Sequence, residues 1–315
     1  LNESVITVTL NPALDKTITL ETLQVGGLNR VQEIRIDPGG KGINVAKVLR
    51  RFGENVIATG FNGGYQGKQL LNHLDELMIN HSFIPVEGET RINLKIVDNH
   101  NRMTTEVNER GFEIADNDVV QFLNQMDTLL DEASVLVVGG SLPLGASPDI
   151  YRDLIHKAKS KNVKTILDAD GEALLSGLKA VPFAIKPNIY ELEQLFNMKL
   201  ETDTDIIHAA QKLLDQGVKW VIVSMGGDGS IFISDKEIIR ARPFPIVPKS
   251  TVGAGDSMVA AIASCLVHGR SLHDTARWAT AAGTLTAAEP GTEVCRLPKV
   301  IANLQNVKIE TVEQK

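Results

Sequence analysis

From Ile114 onward the chain alternates short apolar runs with stretches of helical spacing, and few folds accommodate that order. Val119, Phe122, Leu123, Met126, Leu129 and Leu130 keep helical spacing, Val135 to Val138 is a short apolar run, Tyr151 to Lys161 is helical, and Val163 to Leu167 is strand-like. The pattern continues through Phe183 to Ile185, a helix around Ala209 to Leu214, and Trp220 to Val223. Strands that alternate with helices of this length imply right-handed crossovers and a mostly parallel sheet with helices on both faces. The expected fold is α/β with three layers, and a ligand belongs beyond the carboxyl ends of the strands.

The first third has a different texture. Ser4 to Leu10 has the pattern of a buried strand, and Pro38 to Phe52 that of a glycine turn leading into a helix, with Val45, Val48, Leu49 and Phe52 on its apolar face. Lys16 to Leu23, Arg91 to Val97 and Met103 to Asn108 alternate instead as strands with one polar face. The last two are separated by the polar turn Asp98-Asn99-His100-Asn101. Such strands suit a small antiparallel sheet outside the main core. No internal repeat or low-complexity linker is visible, so residues 1–315 are expected to form one domain with a discontinuous β lid from about 12–37 and 90–109.

Charge and composition narrow the function. A net charge of −7 argues against general binding to nucleic acid or an anionic membrane, both of which need a basic surface. No apolar run reaches the roughly 18 residues of a membrane span, and the sequence starts without a basic, then apolar leader pattern. A cytoplasmic enzyme is the expectation. Cys265 and Cys295 lack the spacing of a zinc site or a disulfide framework.

Thr251-Val252-Gly253-Ala254-Gly255-Asp256 carries the strongest chemical signal, because a small-residue turn here leads into the apolar run Met258 to Val267. If that run is a helix, its first amides and the positive end of its dipole face an incoming anion such as a phosphoryl group in transfer. Asp256 repels such an anion and is better placed to take a proton from an attacking hydroxyl. The competing role is a plain helix cap.

Four further clusters follow strand ends. In Gly39-Gly40-Lys41-Gly42-Ile43-Asn44 the glycines let a ligand approach backbone amides, while Lys41 and Asn44 supply a charge and a directional hydrogen bond. Asp15, in Asn11-Pro12-Ala13-Leu14-Asp15, suits adjacent sugar hydroxyls. Arg30 and Arg91, on the expected lid and its edge, are candidates to meet a substrate phosphate together with Lys41. In Lys186-Pro187-Asn188-Ile189-Tyr190-Glu191, Asn188 and Glu191 stand three residues apart at a helix start, either to hold a hydrated magnesium ion or to form a capping box. Ser224-Met225-Gly226-Gly227-Asp228-Gly229 can admit a nucleotide or simply turn the chain into Ile231-Phe232-Ile233.

Two familiar phosphate-binding patterns fail. The stretch nearest a P-loop, ending Gly67-Lys68-Gln69, has Asn62 at the first glycine position and Gln69 where a hydroxyl is required. A dinucleotide fingerprint starting at Gly253 meets Met258 at its third glycine.

Gly39-Gly40-Lys41-Gly42-x-Asn44-Val45-Ala46 and Val252-Gly253-Ala254-Gly255-Asp256, in that order, resemble the paired signatures of the PfkB, or ribokinase-like, carbohydrate kinase family. The similarity also takes in Asn11 to Asp15, Lys186-Pro187-Asn188-x-x-Glu191 and Val223-Ser224-x-Gly226-x-x-Gly229, and so spans nearly the whole chain. Together with Thr90-Arg91-Ile92-Asn93, these motifs look like those of the hexose-phosphate kinases, namely the 1-phosphofructokinase and tagatose-6-phosphate kinase subgroup with the minor 6-phosphofructokinase nearby.

The resemblance implies a ribokinase-like fold and phosphorylation of a ketohexose phosphate by ATP with Mg2+. It implies Asp256 as base and the amides of Gly253, Ala254, Gly255 and Asp256 as anion hole. It implies further that Lys186, Asn188, Ser224, Gly226, Gly229 and Gly255 border the nucleotide, and that Arg30, Lys41 and Arg91 hold the substrate phosphate. Ser250-Thr251 replaces the family's usual Asp-Thr, which puts a monovalent-cation site in doubt, and Ala261 stands where a glycine is usual.

The expected substrate is fructose 1-phosphate, with tagatose 6-phosphate as runner-up and a silent sugar-phosphate sensor as the alternative of another class. One apolar face on the lid strands, with Ile18, Leu20, Ile92, Leu94 and Ile96, predicts a homodimer joined through the lid.

Overall fold

The computed structural model describes residues 4–312. The first part of the chain runs through β1 (Ser4–Thr9), β2 (Ala13–Leu20), β3 (Glu33–Gly39), α1 (Lys41–Phe52), β4 (Asn55–Gly63), α2 (Gly64–Glu76), β5 (Asn80–Val86), β6 (Arg91–Asp98) and β7 (Met103–Asn108). Next come α3 (Asp116–Asp131), β8 (Ala133–Gly139), α4 (Ile150–Ser160), β9 (Lys164–Asp168), α5 (Gly171–Leu178), β10 (Ala184–Ile185), α6 (Ile189–Phe196) and α7 (Asp203–Asp215). The chain closes with β11 (Trp220–Ser224), β12 (Ser230–Ile233), β13 (Ile238–Arg242), α8 (Ala254–Val267), α9 (Leu272–Ala287), α10 (Leu297–Asn303) and β14 (Lys308–Val312).

A ten-stranded sheet in the order β14-β13-β12-β11-β10-β9-β8-β1-β4-β5 forms the middle layer. From β11 to β5 all its pairings are parallel, whereas β12, β13 and β14 add antiparallel hairpins at one end. The parallel strands are buried on both faces, which is why they read as continuous apolar runs. Along β8, Leu136 and Val138 join the core shared with α3, α4, α5, α6 and α7. Val135 and Val137 point the other way, into the core under α1, α2, α8, α9 and α10. The three-layer α/β architecture is as the alternation requires.

α8 is buried almost all round, with every residue from Asp256 to Leu266 inside. Small side chains at Ala260, Ala261 and Ala263 suit a helix enclosed by the sheet, α1 and α9. Ala261 itself is fully buried without disturbing the helix. No helix among the described residues is long and apolar enough to cross a membrane.

A second sheet has the order β3-β2-β6-β7. Its outer pairs are antiparallel, but the central β2–β6 pair is parallel, which corrects the expectation of an antiparallel sheet. The cause is connectivity. β2 and β6 are not joined by a hairpin: β3 already runs against β2, the chain then passes through α1, β4, α2 and β5 of the main layers, and it re-enters the small sheet running against β3 and so along β2. Lys16 to Leu23 also begins and ends earlier than its alternation suggested, at Ala13–Leu20.

Candidate active site

Asp168 and Lys186 stand at the carboxyl ends of the main-sheet strands β9 and β10. At the start of α8, Gly253 takes a left-handed conformation (φ 76°), and no side chain caps the helix. The Asp256 carboxylate instead accepts a hydrogen bond from Asn44 Nδ2 on α1 at 2.8 Å. The capping role for Asp256 is thereby excluded, since its oxygen points to another helix. Burial pushes its pKa up, the negative charge of Asp168 adds to this, and Asn44, Lys41 and Lys186 pull it back, leaving it at about 6. A carboxyl poised there is ionised near neutrality and still basic enough to take a proton.

Asp168, at the end of β9, is buried between two lysines. Lys41 Nζ stands 3.3 Å from its Oδ1 and Lys186 Nζ 3.4 Å. Burial alone would raise the Asp168 pKa, but the two ammonium groups hold its carboxyl below the usual range. Burial would lower Lys41, yet the charges of Asp168, Asp256 and Glu191 outweigh it and the pKa rises. The result is a fixed array of two cations with one neutralising anion beside Asp256. Lys186 also neighbours the helix start, because a Cβ built on Gly255 would lie 3.5 Å from its Nζ.

A cavity of about 260 Å³ opens next to Asn44 and Lys41. Thr9, Asn11, Gly40 and Gly139 to Ser141 line its floor, and the second sheet supplies its cover with Asp15, Arg91, Asn93, Lys95, Glu106 and Asn108. The cover residues share one face because alternate positions on adjacent strands line up: Asp15 with Asn93 and Asn93 with Asn108, Thr17 with Lys95 and Lys95 with Glu106. Asp15 is buried; its Oδ1 accepts from Asn93 Nδ2 at 2.9 Å, and Lys95 Nζ lies 4.0 Å from its Oδ2. Gly39 is needed at the end of β3, since a Cβ there would come within 2.6 Å of that carboxylate.

Arg91 is half-buried. It donates to the Asn11 carbonyl through Nε (3.3 Å) and Nη2 (3.2 Å), to Ser141 Oγ through Nη2 (3.2 Å), and to the Glu109 carbonyl through Nη1 (3.4 Å). Its pKa is lowered by burial, with Asp15 opposing, so the guanidinium is held partly desolvated over the cavity.

The remaining candidates separate. Arg30 is exposed on the loop between β2 and β3 and does not line this cavity. Lys41 reaches the cavity, but its ammonium is committed to Asp168. Asn188 and Ser224 are neighbours at the ends of β10 and β11, where the Ser224 amide donates to the Pro187 carbonyl at 3.0 Å. Gly226 is exposed in a single turn of 3-10 helix. Gly229 is buried with φ 91°, and a Cβ there would meet the Ala241 carbonyl oxygen at 2.1 Å, so the turn by itself requires this glycine.

Asn188 and Glu191 form a capping box: Asn188 Oδ1 accepts from the Glu191 amide and Glu191 Oε2 from the Asn188 amide, each at 2.8 Å. Among the described residues no group of three or more His, Cys, Asp or Glu is arranged to hold a metal. A wider depression of about 760 Å³ lies at the amino ends of β4 and β5. Its carboxylates are engaged, Glu54 with Ser264 and His268 and Asp75 with His81, and it is remote from this chemistry.

The sequence patterns did not single out Asp168, Ser141, Lys95, Glu106 or Asn108. The strand-end rule points to the first two, which end or follow β9 and β8, and the two-residue period of β6 places Lys95 on the face of Arg91.

An uncapped helix start beside paired lysines, a buried carboxylate held for proton transfer, and an adjoining polar cavity with a desolvated guanidinium together define a phosphotransferase on an α/β sheet. The profile of the pfkB family carbohydrate kinases matches residues 8–300, and the chain belongs to that family. A 1-phosphofructokinase from Borreliella burgdorferi is 37% identical over 312 residues, covering 98% of this chain and 99% of the relative. Among solved structures, phosphofructokinase-2 from Escherichia coli in complex with fructose-6-phosphate has a TM-score of 0.87 at 28% identity, covering 96% of this chain and 98% of that one. The tetrameric inhibited form of the same enzyme gives a TM-score of 0.89 at 29% identity, with the same coverage.

Proposed function

We propose that the protein is an ATP-dependent kinase that phosphorylates a ketohexose phosphate, with fructose 1-phosphate as substrate and fructose 1,6-bisphosphate as product. The observation that carries this is Asp256, uncapped and bonded to Asn44 next to the Arg91 cavity. Asn44 orients the Asp256 carboxylate, which takes the proton of the attacking hydroxyl as the phosphoryl group is transferred. The amides at the start of α8 and the Lys186 ammonium compensate the negative charge of that group. Arg91 and Ser141 hold the substrate's own phosphate at the far end, and Asp15 faces the sugar hydroxyls.

The donor set suits a magnesium ion carried by the nucleotide phosphates and water, an arrangement that needs few protein ligands. Glu191, with only Oε2 used by the capping box, is the residue we assign to a magnesium-bound water; Asn188 serves as the cap. The nucleotide is assigned to the strand-end groove bordered by Lys186, Asn188, Ser224 and Gly226.

Support for fructose 1-phosphate comes from the Borreliella burgdorferi relative. The Escherichia coli complex with fructose-6-phosphate favours the other phosphofructokinase substrate, and tagatose 6-phosphate is the third candidate. Initial rates with ATP and each of the three sugar phosphates decide among them by kcat/KM. Binding of one of these sugar phosphates without ADP release from ATP would make the protein a sugar-phosphate sensor instead.

We also propose a homodimer joined through the second sheet, which acts as a lid. Its outer face aligns Ile18, Ile34, Ile36, Leu94, Ile96 and Val107, with Ile34 57% and Val107 54% exposed. An apolar face of this kind is what a second copy would cover. Sedimentation of the protein beside an Ile34→Asp variant tests this: a monomer for the unaltered chain refutes it.

A further inference from the structure

Two exposed carboxylates outside the cavity grip the chain on either side of Arg91. Glu89, two residues before it, accepts from the Tyr65 and Gln66 amides at the start of α2, each at 3.1 Å. Gly64 is pressed against this carboxylate, and a Cβ there would come within 2.1 Å of it. Thr90 completes the attachment: its amide donates to the Gly63 carbonyl at 2.9 Å and its Oγ1 accepts from the Gly63 amide at 3.0 Å. The start of β6 is thereby tied to the end of β4 in the main sheet.

The second grip lies on the other side. The β6–β7 ladder begins at the pair Asn93–Asn108, so the Ile92 amide falls beyond it. Glu109 Oε2 accepts from that amide at 2.8 Å. The Glu109 amide in turn donates to the Ile92 carbonyl at 3.2 Å, and the Glu109 carbonyl accepts from Arg91 Nη1. Neither Glu89 nor Glu109 lines the cavity, and neither touches Asp256 or Asp168.

We propose that Glu89 and Glu109 are positioning residues for Arg91, fixing the main chain before and after it and so setting where its guanidinium stands over the cavity. The proposal rests on Arg91 holding the substrate phosphate. A guanidinium makes its paired contacts only within a narrow range of placement, so a small rotation at the start of β6 costs substrate affinity. The transfer chemistry at Asp256 stands on other elements and is untouched.

The test is steady-state kinetics of the full chain with ATP and fructose 1-phosphate, or whichever sugar phosphate the panel selects. Glu89→Ala and Glu109→Ala should each raise the KM for sugar phosphate about three- to tenfold, the size of one net hydrogen-bond contribution, with kcat and the KM for ATP unchanged and the melting temperature lowered by no more than about 4 °C. Glu109→Gln should restore the original KM, because its amide oxygen still accepts from Ile92. Glu89→Gln should restore only part, since one oxygen replaces two.

Arg91→Ala serves as reference. If it raises the sugar-phosphate KM and the two alanine variants do not, the positioning role is wrong. The role is equally refuted if the alanine variants shift kcat, both KM values and the melting temperature together, as general loosening of the fold would do. If Arg91→Ala itself leaves that KM unchanged, the phosphate assignment fails first and the proposal goes with it.

Discussion

Replacing Asp256 with Asn separates catalysis from stability in a way that few substitutions do. The side chain keeps its size, and its oxygen can still accept from Asn44 Nδ2, the bond now measured at 2.8 Å. It can no longer take a proton, so turnover should fall by about 10²-fold or more, general-base help being typically worth 10² to 10⁴. Stability should move the opposite way. The folded pKa of about 6 lies above the ordinary value of 3.8 because burial and Asp168 disfavour the charge.

A carboxyl raised in this sense stabilises the fold fully below its unfolded pKa and loses that contribution as pH rises through the folded one. Above pH 6 the native chain therefore carries a buried charge costing up to about 3 kcal/mol, from roughly two pKa units at 1.36 kcal/mol each. Asp256→Asn removes that cost, so urea unfolding should show a more stable variant at pH 8, with the gain shrinking between about pH 6 and pH 4. Turnover within tenfold of the unaltered enzyme would refute the base role. A variant less stable than the native chain at pH 8 would refute the account of the buried charge.

Three other outcomes are expected. Arg91→Ala should raise the KM for sugar phosphate about tenfold or more with little change for ATP, since a charge-assisted contact contributes on the order of 1.5 to 3 kcal/mol; Arg91→Lys should not restore it, because one ammonium cannot span Asn11, Ser141 and the ligand. The logarithm of kcat/KM plotted against pH should fall below an apparent pKa near 6, as protonation disables Asp256, and a profile flat down to pH 5 would remove Asp256 from the base position. Glu191→Gln should keep the capping box and the melting temperature while raising the magnesium concentration for half-maximal rate; an unchanged magnesium titration would leave Glu191 with the cap alone.

Much of the candidate site was legible because its parts are local. The glycine turn before α1, the Gly253 turn before α8 and the Asn188–Glu191 pair are each specified within a few residues by turn and cap chemistry. Periodicity located most main-sheet strands for the same reason. Helix α2 escaped notice because it opens on Gly64 directly after β4, with no polar loop between. Arg30 was grouped with Arg91 on sequence, yet it lies on an exposed loop, since a shared sign of charge carries no information about where strand pairing will put two side chains.

By itself, then, the sequence determined the alternation that forces a parallel sheet, and the short motifs that put amides and a carboxylate at one helix start. Tertiary structure alone decided what those motifs face. Asn44 meets Asp256 across 212 residues, and Lys41 meets Asp168 across 127. Those encounters depend on strand order, and on β2 and β6 pairing in parallel so that Arg91, Asn93 and Lys95 cover the cavity. The Asp256 pKa likewise has no counterpart in any local pattern, because it is the balance of burial against charges brought in by β9, β10 and α1. Periodicity and turns act over a few residues, whereas charge pairing and desolvation are set by which distant surfaces the closed core brings together.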